Sequence, residues 1–261
     1  MVGFPNRRRT MSDAQDREID AAFAETGHRP WPLPDRPWIM YQRWERLLFA
    51  HWPVHAAELR AHVPPPLVID LHDGVAWLSI TAFAVEGLHA RGLPPVPGTS
   101  SFPEFNVRTY VRYGDRPGVW FFSLDAGSLL AVGGARVAYA LPYHHARMSI
   151  EPQGDWLRYV CDRDERARFE GRYRSLGDEY VAVRGSLDEF LVERYALYAA
   201  RTPHRLERTD IQHPPWRLRR AEAEITRNTM VSAAGIELPA RAPLLHYSER
   251  QDVVVWAPAS T

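Results

Sequence analysis

The chain has 261 residues, 45% of them hydrophobic, so it is long and apolar enough to bury the core of one large domain. Its 32 basic residues balance 32 acidic ones, which excludes the strongly basic surface that would gather nucleic acid or an anionic membrane. No apolar run is long enough to span a membrane and none follows the basic cluster at residues 7–9, so we predict a cytoplasmic protein without a signal peptide.

The N-terminal region is polar and leads into a proline-rich segment. Residues 13–24 have a short helical pattern, and the prolines within residues 29–38 favour a stiff, extended arm. We therefore predict that residues 1–37 are a tail and arm, and that residues 38–261 form a single domain.

From residue 39 onward, strand-like runs alternate with turn signals. Gly74 separates two apolar runs as a hairpin turn would, and a Gly-Asp-Arg-Pro-Gly turn lies between aromatic and β-branched runs at 106–113 and 118–124. Further strands are predicted at 144–152, 156–164, 167–175, 217–227 and 244–256.

Few helices compete with these strands. Helical patterns cover residues 55–62, 128–138 and 186–193, the last opened by Ser186 with Glu189 three positions on, as in a capping box. Many strands and few helices around one core predict a mainly β (α+β) protein. A closed or nearly closed antiparallel barrel with peripheral helices would also remove exposed sheet edges.

One predicted strand carries a polar stripe. Because side chains alternate along a strand, Glu104, Asn106, Arg108 and Tyr110 share one face. If that face lines the barrel lumen, Arg108 and Asn106 can hold a carboxylate or carbonyl while Glu104 moves a proton. Two alternatives stay open: the face is the wet outside of the sheet, or Glu104 and Arg108 neutralise each other.

Several segments together resemble one family, the YqjF-like domain-of-unknown-function family of the acetoacetate decarboxylase-like superfamily. They are residues 43–52, 102–111, 121–126, 135–136, 141–143, 185–195 and 244–246. The resemblance implies a cone-shaped antiparallel β-barrel of the acetoacetate decarboxylase-like type with a central pocket. It aligns the decarboxylase's glutamate with Glu104, an arginine with Arg136, and two lysines, one of which forms the Schiff base, with Tyr143 and His144.

The chain contains no lysine, because all 32 of its basic residues are arginine. The codon bias of a GC-rich genome explains the absence of lysine, but the protein still lacks the residue that Schiff-base chemistry requires. A guanidinium stays protonated, whereas a desolvated lysine can lose its proton and attack a carbonyl. The sequence therefore excludes lysine-dependent acetoacetate decarboxylase activity.

A second candidate group, Tyr143, His144 and His145, lies where the superfamily keeps its reactive residue. A tyrosine hydroxyl can polarise a carbonyl, and a histidine titrates near neutrality. Adjacent strand residues point to opposite faces, so at most one of the two histidines lines the pocket. We favour Tyr143 with His145, although the superfamily register equally allows His144.

The remaining candidates are substrate-binding residues. Arg136 and Arg194 would hold an anion or, alternatively, anchor helices to the barrel wall, and His246 is a further pocket candidate. We predict no metal, because Pro53 breaks the helix that would join His51 to His55, and no cofactor, because no cofactor motif occurs.

Together these features predict a cofactor-independent enzyme, a lyase or an isomerase, that performs acid/base chemistry on a carboxylate- or carbonyl-bearing metabolite. The alternatives are a non-catalytic barrel that binds or senses a ligand and an oligomeric scaffold with a filled lumen. A raised pKa of Glu104 beside an enclosed cavity would favour the enzyme. The expected partner is a small molecule, and a homo-oligomer stays open.

Overall fold

The computed structural model describes residues 11–202 and 204–261, with side chains from Asp16 onward. The helices in this part of the chain are α1 (Met11–Ala22), α2 (Ala56–Arg60), α3 (Leu129–Tyr139), α4 (Leu187–Val192) and α5 (Met230–Ala233). The strands are β1 (Met40–Val54), β2 (Val68–Ile69), β3 (Ala76–Ala90), β4 (Phe102–Tyr113), β5 (Arg116–Ala126), β6 (Tyr143–His145), β7 (Arg147–Gln153), β8 (Trp156–Asp162), β9 (Arg168–Tyr180), β10 (Ala196–Thr202), β11 (Arg205–Gln212), β12 (Leu218–Asn228), β13 (Leu244–Val255) and β14 (Ala259–Ser260). The mainly β prediction is confirmed.

Seven strands close into a barrel in the order β13-β1-β3-β4-β5-β10-β11. β1, the first of these strands in the sequence, pairs with β13, the last, and Met40 lies opposite Val255. β11 closes the ring on β13, because Ile211 also pairs with Val255. The pairs are antiparallel except β5 with β10, which runs parallel. The predicted barrel is confirmed, and this parallel pair is a departure from the expected all-antiparallel order.

A second sheet, β12-β9-β8-β7, continues from the N-terminal half of β13 and covers the outside of the barrel. The two layers share an aromatic core in which the rings of Phe105 and Phe169 lie 4.8 Å apart. The Tyr159 hydroxyl donates to the Glu104 carbonyl across the same gap at 2.7 Å. This core fixes the outward face of β4, and so it also fixes which β4 side chains face the lumen.

Two bulges adjust the inward faces of β1 and β5. Arg46 adopts a φ of 54°, and the pairing of β1 with β3 shifts register there, so that Trp44 and Leu47 both face the lumen. A second shift on β5 does the same for Phe121 and Leu124. In both strands, residues three apart share one face, which simple alternation forbids.

Most predicted elements are confirmed, with one correction. The hairpins around Gly114 and Gly154 and the helices at 128–138 and 186–193 form as expected. Gly74 does turn the chain, but β2 pairs with β4 instead of with the run after the turn. The run before Gly74 therefore pairs with the C-terminal end of β4, beyond the residues of β4 that pair with β3.

Helix α1 lies against the barrel through Ile19, and Phe23 follows directly after the helix; both side chains pack with Trp38 and Trp256. Within the described ranges, no helix has both the length and the apolar character needed to cross a membrane.

Candidate active site

The polar stripe of β4 faces the barrel lumen. Glu104, Asn106 and Arg108 are 6%, 5% and 9% exposed, and all three line a cavity of about 60 Å³. Tyr110 lies deeper on the same face and is fully buried. The intervening residues Phe105 and Val107 point into the core between the barrel and the second sheet.

Glu104 is held by two hydrogen-bond donors. The Tyr143 hydroxyl donates to Oε2 at 3.1 Å, and the Asn106 amide donates to Oε1 at 3.2 Å in the orientation that satisfies both its polar atoms. Burial raises the pKa of Glu104 to about 7, against the lowering effect of these two bonds. A carboxyl with this pKa exchanges its proton near neutral pH, as general acid/base catalysis requires.

Tyr143 is the proton-donating partner in this pair. Burial, the nearby Glu104 charge and the hydrogen bond between them raise the pKa of Tyr143 well above 10. Its hydroxyl therefore stays protonated and can donate a hydrogen bond at any working pH.

Arg108 carries a buried guanidinium that lacks an anionic partner among the described residues. Its Nε and Nη2 atoms have no hydrogen-bond partner, and its Cζ lies 5.4 Å from the centre of the Phe49 ring. Burial lowers the pKa of Arg108 from 12.5, but a guanidinium remains charged. Glu104 forms no salt bridge with Arg108, so the Arg108 guanidinium can pair with the carboxylate of a ligand.

We expect Arg108→Met to raise the free energy of unfolding by about 1–3 kcal/mol, because it removes buried donors that lack partners. Urea denaturation would measure this change. The exposed Arg112, on the same strand, supplies the control, and Arg112→Met should change stability by less than about 0.5 kcal/mol. A loss of stability in Arg108→Met would mean that the guanidinium is part of the barrel's packing.

Below Arg108, a row of buried polar groups leads toward the other side of the barrel. The Tyr110 hydroxyl donates to the Leu191 carbonyl at 2.9 Å and lies 3.0 Å from Nδ1 of His51. The His51 ring centre is 5.3 Å from that of His246, whose Nε2 is 3.0 Å from Asp188 Oδ1. Burial lowers the pKa of His51 well below 6.5, so this ring is neutral.

The other predicted residues lie apart from the Glu104–Tyr143 pair. Arg136 is exposed, and its Nε donates to the Tyr143 carbonyl at 2.6 Å, so it acts on the backbone of Tyr143. Arg194 lines the cavity but is bound to Asp70 at 2.6 Å. His144 and His145 lie outside the lining of the cavity, and His145 is exposed.

Of the three adjacent candidates in β6, the structure therefore brings only Tyr143 to Glu104. β6 pairs in parallel with β5, and this places Tyr143 opposite Leu124, a residue of the lumen. The sequence indicated His51 only as a possible metal ligand, which Pro53 argued against, and it did not indicate Asp188. The bulge at Arg46 hides the inward register of β1 from a period-two pattern.

Within residues 16–202 and 204–261, no group of three or more His, Cys, Asp or Glu side chains is arranged to hold a metal ion.

Sequence comparison relates the chain to one family. The family DUF2071, described as an uncharacterized conserved protein, matches residues 41–252. The uncharacterized protein YqjF of Bacillus subtilis (strain 168) is 49% identical over 226 residues, which cover 86% of this chain and 93% of that protein.

Structure comparison gives the fold. The enduracididine biosynthesis enzyme MppR superposes with a TM-score of 0.64 at 12% identity, over 86% of this chain and 88% of its own. Acetoacetate decarboxylase from Legionella pneumophila superposes with a TM-score of 0.59 at 13% identity, over 100% of this chain and 98% of its own. An acetoacetate decarboxylase-like enzyme from Sphingomonas wittichii RW1 superposes with a TM-score of 0.57 at 15% identity, over 91% of this chain and 100% of its own. Likeness at these identities establishes a shared fold and leaves the chemistry to the residues of the site.

Proposed function

The chain belongs to the DUF2071 family, and from its acetoacetate decarboxylase-like barrel we propose that it is an enzyme acting on a carboxylate- or carbonyl-bearing small molecule. It would need no cofactor and would work by acid/base chemistry. The observation that carries this proposal is Glu104, a buried carboxyl with a pKa of about 7 that is hydrogen-bonded to Tyr143 inside the barrel.

The proposed reaction does not use an imine. The chain has no lysine, and the two positions where the resemblance expects lysines hold Tyr143 and His144. Isomerisation, dehydration, cyclisation and decarboxylation can all proceed through an enolate that hydrogen bonds stabilise. We therefore assign the protein to the lyases or isomerases.

Each residue of the site has a role in such a step. Arg108 binds the substrate carboxylate, because a buried guanidinium pairs strongly with it. Glu104, as carboxylate, takes a proton from the carbon next to the carbonyl. Tyr143, which donates to Glu104 in the free protein, donates instead to the carbonyl oxygen as negative charge develops there. Glu104 then returns its proton to the product.

Deuterium exchange tests this step before the natural substrate is identified. We expect the protein to accelerate exchange of the pyruvate methyl protons in D2O, followed by NMR, with a rate that rises with pH through about 7 as Glu104 ionises. Tyr143→Phe should slow this exchange at least about 100-fold, because the enolate loses a hydrogen-bond donor.

Tyr113→Phe is the matched control, because Tyr113 lies at the end of the β4–β5 hairpin far from Glu104 and is 36% exposed. Its exchange rate should equal that of the wild type. If pyruvate, 2-oxobutyrate and acetoacetate all stabilise the protein without exchanging faster than in buffer, the barrel binds ligands and the catalytic proposal fails.

A further inference from the structure

A second chamber adjoins the polar cavity. It measures about 490 Å³, within the range of small-molecule sites, and lies between the barrel mouth and α3. The residues that line both spaces are Gln42, Glu104, Leu141, Tyr143 and Leu197. The Glu104–Tyr143 pair therefore stands at the junction of a small polar cavity and a larger chamber.

The wall of this chamber is mostly apolar. On one side, α3 presents small residues at helical spacing, Ala131, Gly134, Ala135 and Ala138. Large apolar side chains contribute the rest, among them Met40, Leu88, Phe102, Leu130 and Val255. Among the lining residues, Glu104 is the only Asp, Glu, Arg or His, so the chamber offers no cation to a phosphate or a second carboxylate.

The two spaces differ in size and can hold different parts of one ligand. The inner cavity of about 60 Å³ is much smaller than the chamber of about 490 Å³, so it suits a small polar head group and leaves the bulk of a ligand to the chamber. Arg108 lies in that inner space and not in the chamber. Any larger part of a substrate held by Arg108 must then pass Glu104 and enter the chamber.

We infer that the substrate is an amphipathic oxo acid, with its acid head at Arg108 and an uncharged alkyl or aryl tail in the chamber beside α3. This inference rests on the proposed function for the role of the head group. The inference of an apolar tail has a separate basis, the apolar lining of the chamber. Such a wall contributes to binding mainly by burying the apolar surface of a ligand.

A chain-length series tests this inference. For pyruvate, 2-oxohexanoate and 2-oxooctanoate, we expect the dissociation constant measured by calorimetry to fall about fourfold for each added methylene. Deuterium exchange at C3, measured on the same compounds, reports the chemistry separately.

The two adjacent glycines of α3 supply a matched pair of variants. Gly134 lines the chamber whereas Gly133 does not, and a Cβ added at either position meets no atom within 4 Å. Gly134→Leu fills part of the chamber and should raise the dissociation constant of 2-oxooctanoate at least tenfold. The dissociation constant of pyruvate should stay unchanged. Gly133→Leu, which brings the same gain in helix propensity, should change neither ligand.

The outcomes separate this inference from the proposed function. A dissociation constant that does not change with chain length in the wild type overturns the apolar tail, even if all three acids exchange. Equal effects of the two leucine variants on 2-oxooctanoate also overturn it. Binding that strengthens with chain length without any exchange supports the tail and refutes the catalytic proposal.

Discussion

Replacing Glu104 with glutamine is expected to raise the free energy of unfolding by about 3 kcal/mol at pH 9 and by almost nothing at pH 4. Folding raises the pKa of this carboxyl from 4.5 to about 7, chiefly by burial. The protonated form is favoured in the barrel, so its stability is complete below about pH 4.5 and is lost as pH rises through about 7. A difference of this size corresponds to about 3 kcal/mol, and glutamine, which cannot ionise, avoids the loss.

Urea denaturation at both pH values measures this effect. Glu165→Gln is the control, because Glu165 is exposed and its replacement should change stability by less than about 0.5 kcal/mol at either pH. An equal effect of Glu104→Gln at pH 4 and pH 9 would show that the carboxyl is not desolvated in the folded protein.

The same substitution removes the proposed base. We expect Glu104→Gln to slow deuterium exchange of pyruvate by about 10²–10⁴-fold while the protein gains stability above pH 7. A loss of activity together with a gain of stability is characteristic of a group retained for function at a cost to folding. Exchange at the wild-type rate in this variant would refute the mechanism.

The second large effect is expected outside the lumen, at the buried ion pair of Asp125 and Arg163. Both carboxylate oxygens of Asp125 accept hydrogen bonds from Arg163 at 2.5 Å, and the Asp125 side chain is fully buried. Arg163→Met leaves this carboxylate desolvated without its partner, and we expect it to cost about 3–5 kcal/mol at pH 7. Urea denaturation would measure the loss.

Two further variants distinguish the cost of an unpaired buried Asp125 carboxylate from a general loss of contacts. The double variant Asp125→Leu with Arg163→Met should recover most of the stability, because replacing a whole buried pair with apolar groups is often nearly neutral. Arg147→Met, which removes an arginine that is 84% exposed from its contact with Asp162, should cost less than about 1 kcal/mol. A double variant as unstable as Arg163→Met alone would contradict this explanation.

The sequence predicts the parts of this fold that depend on local patterns. Glycine turns and period-two alternation identify the β4–β5 and β7–β8 hairpins, and alternation also places Glu104, Asn106 and Arg108 on one face. That this face lines the lumen depends on the second sheet, whose residue Phe169 covers the opposite face through Phe105. No local pattern contains that contact.

The parts that the sequence does not predict depend on pairing between distant residues or on irregular strands. The closing strands β10 and β11 were not predicted, because they meet without a glycine turn and β10 contains an alanine-rich run. The inward position of His51 follows a bulge at Arg46, which moves the rest of β1 out of its apparent register. The apolar chamber requires α3, β1 and β13, which are far apart in the sequence.

The pairing of Met40 with Val255 sets the time at which this site can exist during synthesis. β1 can pair with β13 only after β13 has left the ribosome exit tunnel. Until then the lumen stays open to water, and Glu104 in the nascent chain keeps the acidity of an ordinary hydrated carboxyl. The emergence of β13, and not the earlier emergence of β4, therefore gives this carboxyl its proton affinity near neutral pH.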